Sequence, residues 1–260
     1  MNILVIPDIH GRTFWKDVCL NNDIKQYDKI IFLGDYVDPY PAEGINKDKA
    51  IENFKYIIDF ANNNKDKVIL LLGNHDMHYC SNIFLNRCGG SRLDHINYNK
   101  LKKIFNDNFD LFHIVYITDN TIFSHAGIHK DWLKLHNLKL TQESLDNLKV
   151  NSEPLTDVSN ARGGYNKYGS CVWSDISEYE VKSKNGIEYI NDFDKYQIFG
   201  HTLQLDIDEY LKRKWVFGHP IFSKHLSMLD SGQAYEYNET NKTIKSANDK
   251  LKTTYSFTFC

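Results

Sequence analysis

Paired cysteine is missing from this chain. Its five cysteines (Cys19, Cys80, Cys88, Cys171, Cys260) are an odd number, scattered, with no Cys-x-x-Cys pair. That argues against a disulfide framework and for a reducing compartment. At least four of them read as small apolar core residues. Long apolar runs are missing too. No segment approaches about 18 consecutive apolar residues, and the N-terminus MNILVIPDIHG has neither a basic start nor a long apolar stretch. A soluble, cytoplasmic protein with no membrane partner is expected. Charge of one sign is not in excess: 31 basic against 34 acidic residues give a net charge of −3. This provides no long-range pull toward nucleic acid, so no nucleic-acid partner is expected. The basic run Lys212-Arg213-Lys214 reads as a solvated turn. Repeats, heptads and low-complexity blocks do not occur.

What is present is enough for a substantial core: 42% hydrophobic and 25% charged residues over a length of 260. The first half alternates short apolar runs with amphipathic stretches. Strands are expected at residues 3–6, 29–33 (KIIFL) and 68–72 (VILLL), and helices at 13–24, 47–62 and 101–109. In the second helix Ala50, Ile51, Phe54, Ile57 and Ile58 recur at helical spacing. From residue 111 the runs LFHIVYI, TIFS, YQIFG, WVFG, HLSML and QAYEY are separated by turn residues and predict strands. Helical breaks fall near 130–136 and 142–148. Residues 151–169, containing Arg162, Gly163 and Gly164, read as a long loop, of the kind that in compact domains is functional or disordered. A βαβαβ half followed by a strand-rich half predicts an α/β fold with a largely β core. One domain over residues 1–238 is the simpler account. Residues 239–260 form a C-terminal extension packed on it, a polar turn and then a Thr/Tyr/Phe-rich edge strand.

Five short polar segments follow predicted strands: Asp8-Ile9-His10, Gly34-Asp35-Tyr36-Val37-Asp38, Gly73-Asn74-His75-Asp76, Ser124-His125-Ala126-Gly127 and Gly200-His201-Thr202. In open α/β sheets the ligand crevice lies beyond the carboxyl ends of strands, so five clusters at that position converge in space. Carboxylates, imidazoles and one side-chain amide suit divalent ions such as Mn, Fe or Zn, and disfavour a cysteine-rich site. Each segment alone is a weak signal, because a lone His is more often a packed or surface residue. The ordered set is strong.

The set resembles the calcineurin-like metallophosphoesterase superfamily, which displays D-x-H, G-D-x-x-D, G-N-H-[DE], a later His, and G-H. The resemblance covers residues 1–238. SHAGI (124–128), VWSD (172–175), FGHT (199–202) and LDSG (229–232) are similar to segments of its phosphoprotein-phosphatase branch, with bacterial and phage members. It implies a β-sandwich flanked by helices in αββα layers, with two divalent metal ions at the loop end. Manganese is the first expectation, and iron, zinc and nickel are the others. By resemblance, Asp8 and His10 hold one metal, Asp35 bridges, and Asn74, His125 and His201 complete the second. His75 is the proton donor to the leaving oxygen and Asp38 orients it. Two such ions lower the pKa of water toward neutrality and clamp phosphate oxygens.

The sequence departs from the pattern twice. Leu203 stands where many superfamily members have the second His of G-H-x-H, a departure shared with phosphoprotein phosphatases. Pro39-Tyr40 replace the Arg-Gly of G-D-x-V-D-R-G, so the phosphate-gripping arginine is absent there. Arg162 and Arg12 are the candidate substitutes. His78, His95, His113, His129, His136, His219 and His225 receive no role. Trp173 and Tyr165 are weighed as pocket-lining residues, with core packing as good an account of Trp173. The leading reading is a metal-dependent phosphomonoesterase acting on a phosphorylated substrate, phosphoserine or phosphothreonine proteins among the possibilities. The alternatives are a hydrolase of dinucleoside polyphosphates or other nucleotides and, from another class, a catalytically inactive binding scaffold.

Overall fold

Short runs that are apolar at every position make strands with both faces covered, and three such runs open the chain. In the computed structural model, β1 (Asn2–Ile6), β2 (Lys29–Phe32) and β3 (Val68–Leu71) run parallel, with Val5 opposite Ile31 and Ile31 opposite Ile69. The structure describes residues 1–247 except 21, 22, 91, 185 and 213. The expected terminal edge strand, Cys260 and Arg213 lie outside the described residues.

Further strands follow in chain order: β4 (Phe112–His113), β5 (Val115–Ile117), β6 (Thr121–Ser124), β7 (Glu180–Ser183), β8 (Gly186–Tyr189), β9 (Tyr196–Phe199), β10 (Ile221–Phe222), β11 (Leu226–Met228), β12 (Tyr235–Asn238) and β13 (Thr243–Ser246). One sheet has the order β13-β12-β1-β2-β3-β4, a second the order β10-β11-β9-β6-β5, and β7-β8 form a separate hairpin. The period of two sorts the side chains of the first sheet. Ile3, Val5, Ile31, Leu33, Ile69 and Leu71 join Phe123, Ile198 and Tyr237 in the core between the sheets. Leu4, Ile6, Ile30, Phe32, Leu70 and Leu72 face the other way, into a layer shared with helices. The result is a mixed α/β fold of two sheets flanked by helices.

The helices are α1 (Phe14–Cys19), α2 (Lys47–Asn63), α3 (Asn74–Cys80), α4 (Asn82–Cys88), α5 (Tyr98–Asp107), α6 (Lys130–Leu135), α7 (Gln142–Asp146) and α8 (Ile207–Leu211). The α2 helix starts where Asn46 Oδ1 accepts the N–H groups of Asp48 and Lys49, a cap contributing about 1 kcal/mol. Its buried face is Ala50, Ile51, Phe54, Ile57, Ile58 and Ala61, the spacing read from sequence. Phe54 stacks on Tyr36 and meets Phe105 of α5, which meets Phe112. Burying one such ring contributes roughly 1.5–3 kcal/mol. This aromatic column fixes the helical layer over the ends of β2 and β3.

Several expected elements differ. The first helix ends at Cys19 and is followed by a 3-10 turn at Ile24–Gln26. LFHIVYI is two strands, one in each sheet, and the chain crosses between sheets at Ile114. WVFG is not a strand: only Phe217 forms a bridge, to Leu205. The TIKS segment after the turn at 239–242 pairs with β12 and is an integral edge strand.

Candidate metal centre

Each polar segment leaves the carboxyl end of a strand and turns back at once. Asp8 and His10 follow β1, Asp35 and Asp38 follow β2, Asn74 and His75 begin α3 after β3, His125 follows β6, and His201 follows β9. The first three strands belong to one sheet and the last two to the other. The turns are tight enough to force left-handed backbone at His10 (φ 43°), Asp35 (53°), Asp38 (58°) and His201 (67°). Each such non-glycine residue costs about 1–3 kcal/mol and persists only where its surroundings enforce it. Two glycines admit the close approach. A Cβ on Gly73 would lie 2.2 Å from Asp35 Oδ1, and one on Gly200 would lie 2.0 Å from Asp8 Oδ1.

The structure brings the sequence candidates together, all of them buried. Asp8, His10 and Asp35 form one group able to hold a metal ion, and Asp35, His125 and His201 another, with donor atoms within 4.8 Å of one another in each. Asp35 belongs to both. Its Oδ2 lies 3.3 Å from His10 Nε2 and 3.5 Å from His125 Nε2. Backbone carbonyls set the rings: His10 Nδ1 hydrogen-bonds Val37 O at 2.9 Å and His125 Nδ1 bonds Leu33 O at 2.8 Å. A carbonyl only accepts, so each neutral ring carries its proton on Nδ1 and turns the Nε2 lone pair inward. There His125 Nε2 meets Asn74 Oδ1 at 3.0 Å and His201 Nδ1 at 3.1 Å. Lone pairs crowded against a carboxylate and an amide oxygen fit a cation among them.

The electrostatics agree. Burial pushes His10 well down, against Asp35; burial and then Arg162 push His201 down. Both rings are thereby kept neutral, the form that ligates. Burial alone would raise Asp35, but the imidazoles beside it, His125 and then His75, outweigh it and hold the carboxyl well below its usual range. Asp8 is raised by burial and accepts the His201 N–H on both oxygens, at 3.0 and 3.1 Å. Asp76, given no role from sequence, takes the backbone N–H groups of Asp35, Tyr36 and Gly73 at 2.7, 3.0 and 2.9 Å. It clips the turn after β2 to the turn after β3.

His75 stands beside this cluster, its ring edge-on to His10 at 5.2 Å. Its Nδ1 bonds Asp38 Oδ2 at 3.0 Å, and the other Asp38 oxygen accepts from Tyr79 Oη at 2.6 Å. Of the two arginines proposed from sequence, Arg162 reaches the rim, bonding Thr202 Oγ1 and pairing with Asp175 at 2.7 Å. Arg12 is 7% exposed and lies behind the centre, pairing with Glu43 at 2.8 Å and lying 3.9 Å from Asp230. Trp173 packs edge-on to His201 at 5.6 Å, whereas Tyr165 is fully exposed away from any pocket contact.

Sequence reasoning missed Arg92 and Asp230. Arg92 donates to Asp38 O at 3.0 Å and to His75 Nε2 at 2.8 Å, and covers the Tyr40 ring at 3.6 Å. Asp230, two residues past the end of β11, is wholly buried with no hydrogen-bond partner on either oxygen. Burial, then Asp8, raises its carboxyl well above the usual range. The LDSG segment after a strand was its only signal; Arg92 has no motif at all.

The description calcineurin-like phosphoesterase matches residues 1–205, and the chain belongs to that family. Its members are dinuclear metal-dependent hydrolases of phosphate esters, and the two Asp/His groups are the candidate metal positions. No curated protein matches the sequence. Among solved structures the chain is similar to a cold-active protein-tyrosine phosphatase of a psychrophilic Shewanella sp., at 14% identity and TM-score 0.56, covering 95% of this chain and 78% of that one. It is also similar to a second structure of a cold-active protein tyrosine phosphatase, at 17% identity and TM-score 0.58, covering 95% and 76%. A protein serine/threonine phosphatase from Saccharomyces cerevisiae matches at 14% identity and TM-score 0.48, covering 91% and 72%. For the two cold-active phosphatases, at these identities, the likeness is one of fold. No helix among the described residues is long and apolar enough to cross a membrane.

Proposed function

We propose that this protein is a dinuclear metal-dependent phosphomonoesterase, with phosphoserine and phosphothreonine proteins as its candidate substrates. The observation that carries the reading is the shared position of Asp35, one carboxylate oxygen facing a ring nitrogen of each histidine group. Asp8, His10 and Asp35 would hold one ion, and Asp35, Asn74, His125 and His201 would hold the other. Oxygen and imidazole donors without thiolate favour manganese, with iron, zinc and nickel as competitors. When bound, such an ion pair supplies an activated water at neutral pH and charge stabilisation for the phosphoryl oxygens.

The chain's own residues do the rest. Asp38 fixes the His75 ring through Nδ1, leaving Nε2 to give a proton to the leaving oxygen. Tyr79 holds Asp38 from the far side, so the carboxylate cannot turn away. Arg162 offers a planar fork to phosphate oxygens at the rim. Arg12, buried against Glu43, supports the Asp8 loop through its bond to Asp8 O at 3.2 Å.

The deciding experiment is a substrate panel with added Mn²⁺: p-nitrophenyl phosphate, phosphoserine and phosphothreonine peptides, and a dinucleoside tetraphosphate. Monoester hydrolysis that chelation abolishes is expected. Cleavage of the tetraphosphate alone would replace this reading with a nucleotide hydrolase, and binding without turnover would replace it with a scaffold.

A further inference from the structure

Arg92 is a half-buried guanidinium whose neighbours are all neutral: the Asp38 carbonyl, the His75 ring nitrogen and the face of Tyr40. No carboxylate pairs with it among the described residues. Arg12 and Arg162, by contrast, each have one, at 2.8 and 2.7 Å. A guanidinium drawn out of water without a counter-ion is poorly solvated, and an anion placed beside it gains accordingly. Its location says which anion. Tyr40 meets His10 edge-on at 4.9 Å, and His10 meets His75 at 5.2 Å. Arg92 therefore caps a rim of three rings that borders the metal group of Asp8, His10 and Asp35. Its Nη2 already lies 2.8 Å from His75 Nε2, the atom that must face the leaving oxygen.

The backbone is committed to this placement. Arg92 has φ 68°, a left-handed conformation that costs an arginine about 1–2 kcal/mol. Two residues earlier, Gly90 presses against the His78 ring, where a Cβ would lie 2.6 Å from Cε1. Gly90 is thus wedged against the wall behind His75, and the Arg92 side chain reaches the site from beside it.

From this we infer that Arg92 is a phosphate-binding residue, standing on Tyr40 and exchanging His75 Nε2 for an oxygen of the substrate's phosphate. It serves the place left empty by Pro39, but it arrives from a different segment of the chain. The exchange also frees His75 Nε2, an acceptor while Arg92 holds it, to take a proton from solvent and present it to the leaving oxygen. The inference rests on the phosphoesterase reading.

The test compares wild type with Arg92→Ala and Arg92→Gln, both metal-loaded and checked for metal content. Inorganic phosphate binding is measured by calorimetry, and kcat and KM are measured on p-nitrophenyl phosphate. Losing a charge-assisted fork should weaken phosphate binding and raise KM by about tenfold or more, with metal content unchanged. The glutamine variant preserves bulk and carries the test if the alanine variant does not fold. Unchanged phosphate affinity overturns the inference. A fall in kcat alone also overturns it, because Arg92 would then only hold His75 in place. If the wild type hydrolyses no phosphate ester the functional reading fails, while the calorimetric comparison still decides whether Arg92 binds phosphate.

Discussion

At the scale of single residues, two neighbouring histidines one helical turn apart in α3 have opposite surroundings. His75 has a carboxylate on one nitrogen and an arginine on the other. His75→Asn should leave metal content intact and lower turnover of an alkyl phosphate by roughly 10²–10⁴-fold. The loss should be much smaller with p-nitrophenyl phosphate, whose leaving group barely needs a proton; equal losses would refute the acid role. His78 is wholly buried with neither ring nitrogen bonded, and burial, then His75, pushes its pKa down to about 4. The unfolded chain takes up a proton near pH 6.5 and the folded one only near 4, so this residue removes stability as pH falls through that window. At pH 5 the loss is about 2 kcal/mol relative to neutral pH. Urea unfolding of the metal-free protein at pH 7.5 and 5 should show a smaller difference in His78→Leu than in wild type. The ligand types were legible because D-x-H, G-N-H-D and G-H specify chemistry at fixed spacing. Arg92 was not, because its role depends on Tyr40 and His75, which lie 52 and 17 positions away in the chain and touch it only in the fold.

At the scale of elements, the centre is built from strand ends, and the sequence reading succeeded wherever a strand was buried on both faces. KIIFL and VILLL have no competing interpretation once turn residues bound them. It failed where short elements depend on tertiary support. The hairpin β7-β8 is largely exposed, with no apolar period to reveal it. WVFG has strand composition, yet it spends its aromatic rings on the site wall: Trp215 against Tyr40 and Phe217 over Arg12. Among strand ends, that of β2 supplies the residue common to both candidate metal groups, Asp35. Asp35→Asn should therefore cost both ions. Metal analysis after saturation and desalting checks this, and retention of either ion at full stoichiometry would refute bridging.

At the scale of the whole molecule, the centre joins sheets that elsewhere meet through apolar packing and a buried hydrogen bond between Thr121 Oγ1 and Tyr237 Oη at 2.9 Å. Ions that bind the folded state stabilise it by mass action, about 2.7 kcal/mol when present at a hundred times Kd. For a chain of this size chelation should lower Tm by roughly 5–10 °C, with recovery on adding Mn²⁺. A melting curve indifferent to chelator would show that the sheets do not depend on the ions. The same architecture has a consequence for synthesis. β1 is made before every other described strand, yet one of its two partners is β12, with Asn2 opposite Asn238. At roughly 5–20 residues per second that partner arrives tens of seconds later. All five metal-centre loops have been made by residue 201, so an ion can find its donors while residues 202–238 are still to come. Until then the apolar ILVI edge stands open to any other nascent strand, and such edges are where chains aggregate. Early metal capture, by holding β1 against its other partner and the second sheet, would shorten the time a half-made chain spends exposed to its neighbours on the same messenger.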